Sequence, residues 1–263
     1  MYNPPRTRNL FNPASKEAFR LSRSKLDLFL NCPRCFYLDR RLGVDQVPGY
    51  PFSLNSAVDA LLKKEFDLYR ERGEAHPEMS KAGIEAVPYQ DARLEEWRDA
   101  LRGGITFLHP ESKFLVTGGI DDVWVNKQGE LIIVDYKATS KKEEVNLDAD
   151  WQIGYKRQME IYQWLFRQNG FRVSKTGYFV YCNGDTSKDS FDKKLEFEIK
   201  IIPYTGKDDW IGAALVAARK CLEGNKLPQA SPDCDFCKYR QAAKEAEDSS
   251  VNSPQMLELF PDL

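Results

Sequence analysis

The sequence predicts an α/β fold, a mixed central sheet flanked by helices. Strand-length apolar runs alternate with longer segments of helical period, in the order helix, strands, helix, strand, strand, helix. Two strand-like runs, 113–125 and 130–138, flank the turn cluster Asn126-Lys127-Gln128-Gly129, as in a β-hairpin. Residues 195–202 alternate cleanly, with Leu195, Phe197, Ile199 and Ile201 facing in and Glu196, Glu198 and Lys200 facing out.

In chain order, residues 1–20 read as an irregular arm. Ser22 or Ser24 can cap a short helix carrying Leu26, Phe29 and Leu30. Residues 53–72 place Leu54, Val58, Leu61, Leu62, Phe66 and Tyr69 at helical spacing. Residues 73–90 read as a loop, and a helix over 91–102 leads into the hairpin. The polar stretch 139–149 reads as a mobile loop. A helix over about 150–168 stops at Asn169-Gly170. A strand over 176–182 ends at Asn183-Gly184-Asp185. The last helix, 208–222, opens on Asp208 as a cap, with Trp210, Ile211, Ala214, Leu215, Ala218 and Leu222 on its apolar side. The domain organisation that follows is an arm over 1–20, one domain over 21–243 and a flexible acidic tail over 244–263.

The 263 residues suffice for one well-buried α/β domain. The longest aliphatic run, Leu131 to Val134, is far short of a membrane span. No apolar segment follows Arg6 and Arg8, so no signal peptide is expected and a cytoplasmic location is the default. A net charge of −2 excludes a polycation, so phosphate binding would rest on local pairs such as Arg40-Arg41, Lys141-Lys142 or Lys156-Arg157. The two histidines, His76 and His109, each precede a proline in loop-like settings, which argues against a histidine-based hydrolase.

The hairpin carries the chemistry. Asp135 and Lys137 lie two apart on a strand and share a face. A three-residue loop, Lys127-Gln128-Gly129, with glycine at the positive-φ position, sets a register that puts Asp121 directly opposite Asp135. Their Cβ atoms would then be about 5 Å apart. Two carboxylates this close repel, and a divalent cation relieves the repulsion. A lysine beside such a pair suits metal-assisted phosphodiester hydrolysis. A surface ion pair would explain the same residues. Against it, Asp135 ends an apolar run, where a charge is costly, and Asp121 follows Gly118-Gly119, which permits close approach.

Gly118 to Asp121, Asp135 to Lys137, and Gln158 with Tyr162 on the following helix together resemble the PD-(D/E)XK nucleases. The likeness is to their RecB-like branch, which includes CRISPR-associated RecB-like exonucleases. The resemblance spans about residues 20 to 245. It implies a restriction-endonuclease-like core and a metal-dependent DNA nuclease acting in repair, recombination or foreign-DNA processing. A ribonuclease, or a non-catalytic DNA-binding scaffold on the same fold, is the alternative. It further implies that Asp121, Asp135 and the Tyr136 carbonyl bind Mg²⁺ or Mn²⁺, and that Lys137 orients or activates the attacking water. Gln158 and Tyr162, i and i+4 on one helix face, would contact the substrate strand. Where relatives often carry a metal-binding histidine, this chain has Asp59, which could add an oxygen ligand or be an exposed helix charge.

Cys32-Pro33-Arg34-Cys35 and Cys234-Asp235-Phe236-Cys237 form two Cys-x-x-Cys knuckles, a four-thiolate metal signal joining the N- and C-terminal parts. Some RecB-like nucleases carry a [4Fe–4S] cluster on one early and three late cysteines. Here Ala243 stands at the last of those positions and Cys35 is added. The resemblance favours iron–sulfur, while the two-and-two split also fits Zn²⁺. Cys182 and Cys221 read as packed thiols. At the C-terminus, Gln255, Leu257, Leu259 and Phe260 resemble the peptide by which proteins bind the bacterial sliding clamp, or they dock on this chain itself.

Overall fold

A computed structural model describes residues 5–47, 49 and 53–251. The sliding-clamp-like residues Gln255, Leu257, Leu259 and Phe260 lie outside the described residues. In chain order the elements are β1 (Phe19–Ser22), α1 (Arg23–Asn31), α2 (Pro33–Leu42), α3 (Ser53–Arg72), α4 (Pro77–Lys81), β2 (Ala86–Pro88), α5 (Leu94–Arg98), β3 (Ile105–His109), β4 (Phe114–Gly118), β5 (Asp122–Asn126) and β6 (Leu131–Thr139). A single 3₁₀ turn (Asp150–Gln152) then leads into α6 (Ile153–Gln168), followed by β7 (Thr176–Gly184), β8 (Phe197–Thr205), α7 (Ile211–Glu223) and α8 (Asp235–Val251). Among the described residues, no helix is long and apolar enough to cross a membrane.

The chain forms two compact units that interleave in sequence. One comprises 17–24 and 49–215; the other comprises 1–16, 25–48 and 216–263. The first unit holds both sheets. One has the order β2-β5-β6-β7-β8, with β6 and β7 parallel and the remaining pairs antiparallel. The other has the order β1-β4-β3. This is the mixed α/β architecture the sequence predicts.

The hairpin register is also as predicted. Asp122 pairs with Val134 and Val125 with Leu131. Asn126 N–H bonds the Glu130 carbonyl at 3.1 Å, closing a three-residue loop in which Gly129 adopts φ +74°. Strand β6 contributes Leu131 to Val134 at 5% exposure or less, because helices and neighbouring strands cover both of its faces. One face packs Ile132 and Val134 against Val58, Leu62 and Phe66 of α3.

The run 113–125 is two strands in two different sheets. Between them the chain turns through Gly119-Ile120-Asp121. A Cβ on Gly119 would come within 2.6 Å of the Ala100 Cα, so only glycine fits there. The expected loop over 73–90 contains α4 and the edge strand β2. The expected helix over 91–102 is confined to Leu94–Arg98, and β3 follows it. Strand β8 starts at Phe197, which is 37% exposed instead of inward-facing, while Ile199 and Ile201 pack on the core. Helix α8 continues to Val251, through residues whose polar composition suggested a linker.

In the second unit, Asp39 on α2 is fully buried. Its carboxylate takes Arg6 at 2.7 Å, Lys25 at 2.6 Å and Arg40 at 2.8 Å. Arg40 is therefore committed to the core, and Arg41 donates to the Phe11 carbonyl, so this pair is not an open phosphate contact. Burial alone would raise the Asp39 carboxyl; hydrogen bonding with Asp45, Arg40 and Lys25 outweighs it and holds the group down to about 2. A carboxylate depressed in the folded state stabilises at pH above its unfolded value, about 4. That contribution is lost as pH falls from there toward 2. Asp39→Ala is expected to destabilise this unit by about 2–4 kcal/mol, because it leaves the buried Arg40 and the partly buried Arg6 and Lys25 with only Asp45. Denaturant titration of wild type and variant at neutral pH and near pH 2 checks this: the gap should narrow in acid.

Candidate active site

Helices α3 and α6, strand β6 and the turn before β5, all in the first unit, converge on one cavity of about 450 Å³. Its lining includes Asp59 from α3, Asp121 directly before β5, Lys137 from β6, and Tyr155 and Gln158 from α6. Asp121 and Asp122 are neighbours on opposite faces of the hairpin, and their surroundings differ completely. Asp122 is fully buried among cations and donors. Arg70 and Arg98 pair with it, Tyr136 Oη donates at 2.7 Å, Val123 N–H at 2.9 Å and Trp124 Nε1 at 3.3 Å. Every lone pair is spoken for, so Asp122 is structural.

Asp121 opens toward the cavity. Its Oδ2 accepts the Tyr136 N–H at 2.8 Å, and its Oδ1 has only a long contact, 3.4 Å, with the Lys63 ammonium. The Tyr136 N–H points to the β5 side of β6. In an extended strand the carbonyl of the same residue points that way too. The Asp121 side chain and the Tyr136 carbonyl therefore approach the same spot beyond the end of β5.

Asp135 is wholly buried. Its Oδ1 accepts Gln158 Nε2 at 2.7 Å. The Lys137 ammonium lies against Oδ2 as an ion pair, yet that oxygen receives no hydrogen bond of acceptable geometry. Desolvation pushes the Asp135 carboxyl up to about 6, with Lys137 opposing and Asp121 adding to the rise. Burial also disfavours the charged form of Lys137, but Asp135 and Asp121 outweigh this and move its ammonium above the ordinary lysine range. The ammonium sits 4.6 Å from the Tyr155 ring centre.

The donors fit a hard divalent cation. Two carboxylates and a backbone carbonyl are oxygen ligands of the kind Mg²⁺ and Mn²⁺ take, and a cation on Asp135 Oδ2 would displace the Lys137 ammonium that now pairs with it. Asp59 also faces the cavity, but its Oδ2 is held by Lys63 at 2.8 Å. Lys63 thus bridges Asp59 and Asp121, and Asp59 meets a cation only if that ammonium moves aside. Among the described residues, the cysteine group is the one set of three or more potential ligands already drawn together.

Tyr162 is 3% exposed and backs the site instead of lining it. Its hydroxyl accepts from Gln158 Nε2 at 3.2 Å. Gly118 makes room for it, since a Cβ there would come within 2.6 Å of the ring. The close approach that Gly118-Gly119 permits is therefore made by Tyr162 and Ala100, both from the protein itself. Sequence reasoning missed Arg23 and Tyr155 in the cavity lining, and Lys63 as the partner of Asp59 and Asp121. Tyr155 carried a signal, three residues before Gln158 and so on its face of the helix. Lys63 carried one as the i+4 partner of Asp59. Arg23 carried none.

In the other unit, Cys32, Cys35, Cys234 and Cys237 bring their sulfurs within 4.8 Å of one another, an arrangement that could hold a metal ion. Cys182 is buried in the first unit, away from any ligand group, and Cys221 packs against the Pro33 carbonyl.

The sequence model of the PD-(D/E)XK nuclease superfamily matches residues 20–242. No curated protein matches the chain. The solved structure titled "Crystal structure of SSO0001" aligns over 78% of this chain and 76% of that one, at 16% identity and a TM-score of 0.34, too distant to bear on the site.

Proposed function

Because the chain belongs to the PD-(D/E)XK nuclease superfamily, we propose that it is a metal-dependent deoxyribonuclease of the RecB-like branch, akin to the CRISPR-associated exonucleases. It would act in DNA repair, recombination or foreign-DNA processing. The observation that carries this reading is that Asp121 and Lys137 line one open cavity, with the buried Asp135 paired to Lys137 behind it and Asp122 diverted into the core.

Asp121, Asp135 and the Tyr136 carbonyl would hold Mg²⁺ or Mn²⁺, with Asp59 as a further oxygen once Lys63 moves. A bound divalent cation neutralises phosphate charge and acidifies water. Lys137, whose ammonium offers three donors and no acceptor, orients the attacking water and steadies charge on the phosphate. Gln158 fixes the Asp135 carboxylate so that its second oxygen faces the cation. Tyr162 is a positioning residue, setting the Gln158 amide from behind.

The test is cleavage of end-labelled linear DNA, circular DNA and matched RNA with Mg²⁺ or Mn²⁺, comparing wild type with Lys137→Ala. Wild type should cut DNA, and the variant should lose on the order of 10²-fold or more. Cleavage of RNA alone supports a ribonuclease; no cleavage of any substrate by wild type supports a scaffold.

Gly118→Ala tests the support behind the site. The added methyl pushes on the Tyr162 ring, and through it on Gln158 and Asp135. We expect a stability loss of about 1–3 kcal/mol. Metal affinity, read by Mn²⁺ titration calorimetry, should fall by roughly 10–100-fold. Unchanged Mn²⁺ affinity would detach Tyr162 from the site.

A further inference from the structure

The second unit carries a ligand set that the nuclease reading does not use. We propose that Cys32, Cys35, Cys234 and Cys237 hold a single tetrahedral zinc ion and not a [4Fe–4S] cluster. The inference stands on sulfur spacing and is independent of the nuclease reading.

The sulfurs of Cys35 and Cys234 are 3.5 Å apart, those of Cys35 and Cys237 3.7 Å, and those of Cys32 and Cys237 3.8 Å; all four lie within 4.8 Å of one another. Four thiolates at the ordinary zinc–sulfur distance, about 2.3 Å from a common centre, sit about 3.8 Å from one another in a regular tetrahedron. In a cubane each thiolate binds a different iron, so the cluster itself separates the sulfurs, by about 6 Å. The cluster does not fit between these four sulfurs, whereas one ion does. The distances also exclude disulfides, whose sulfurs are about 2.0 Å apart.

Local structure explains why the sulfurs hold this spacing. Cys32 is the N-cap residue of α2 and Cys234 directly precedes α8, so each knuckle wraps onto a helix N-terminus. The partial positive charge there favours thiolates. The Phe36 N–H bonds the Cys32 carbonyl at 3.0 Å and the Cys237 N–H bonds the Cys234 carbonyl at 3.0 Å, fixing the backbone of each knuckle. Leu28 and Ala230 pack around the group, giving the closed, apolar shell of a structural site.

The test uses the full chain, purified anaerobically from cells grown with both iron and zinc. Metal and sulfide are measured per chain, and a visible spectrum is recorded. One zinc per chain, no absorbance near 400 nm (the approximate region expected of iron–sulfur clusters), and zinc release as four thiols are blocked support the proposal. Cys221→Ser, outside the set, should keep its zinc. Stoichiometric iron with or without sulfide, or a chain with four reactive thiols and no zinc, would overturn it. Wild-type protein suffices for these readings, so they do not depend on any cysteine variant folding.

Discussion

Asp135→Asn should abolish Mg²⁺- and Mn²⁺-dependent DNA cleavage while leaving the protein folded. The loss should be on the order of 10³-fold or more, because a neutral amide removes the charge and, with Oδ1 kept by Gln158 Nε2, puts an NH₂ group in place of the oxygen a cation would use. Two effects on stability oppose each other. Lys137 loses its close ion-pair partner, which is unfavourable. Against that, a fully buried carboxylate already pushed up toward 6 by desolvation is replaced by a neutral group of the same shape. Lys137 is 16% exposed and lies at an open cavity, so solvent can take over its charge. We expect a net change within about 1 kcal/mol. Asp122→Asn should behave in the opposite way. It leaves Arg70 and Arg98 facing a buried neutral group with only Asp67 and Glu95 as remaining carboxylate partners, and should cost about 1–3 kcal/mol, with any loss of cleavage following the loss of folded protein. Thermal melts and single-turnover cleavage of both variants separate the roles. Wild-type cleavage by Asp135→Asn would remove Asp135 from the chemistry.

The second large effect is at the cysteines. The unit that holds them is assembled from three separate stretches of chain, 1–16, 25–48 and 216–263. One ion held by Cys32, Cys35, Cys234 and Cys237 would tie residues some two hundred positions apart, closing a very long loop. Structural zinc in small domains contributes on the order of 10 kcal/mol of apparent folding free energy. Cys234→Ser is expected to release the metal and destabilise this unit by several kcal/mol. Limited proteolysis should then cut within α8, and the melting temperature should drop. Full retention of metal and of melting temperature in the variant would refute the staple.

The hairpin was legible because its determinants are local. A three-residue turn with glycine at positive φ fixes the register, and register plus the two-residue period of a strand puts Asp121 across from Asp135. Gln158 and Tyr162 were legible as i, i+4 neighbours, although their duty is to hold Asp135, with Tyr162 sealed beneath. Missed features depend on distant partners. β1 is a strand only because β4, some ninety residues on, lies parallel to it. The run 113–125 kept its apolar pattern straight through the point where the chain leaves one sheet for the other, so periodicity could not show the break. Arg23 reaches the cavity, and Lys63 reaches Asp121, by the packing of whole helices, which no spacing rule encodes.

The adjacent pair Asp121-Asp122 has one further consequence, for folding fidelity. A slip of one residue along β5 would exchange the two carboxylates between faces. The core would then meet Asp121 in an altered setting, and the cavity would receive Asp122, drawn away from Arg70, Arg98, the Tyr136 hydroxyl and the Trp124 indole. Losing Asp122 would leave Arg70 and Arg98 only the half-exposed Asp67 and the exposed Glu95, and the Tyr136 and Trp124 donors no acceptor, which disfavours the shifted hairpin. The buried arginines thus proofread the alignment of the strand, and a chain that has folded at all has Asp121 on the cavity side.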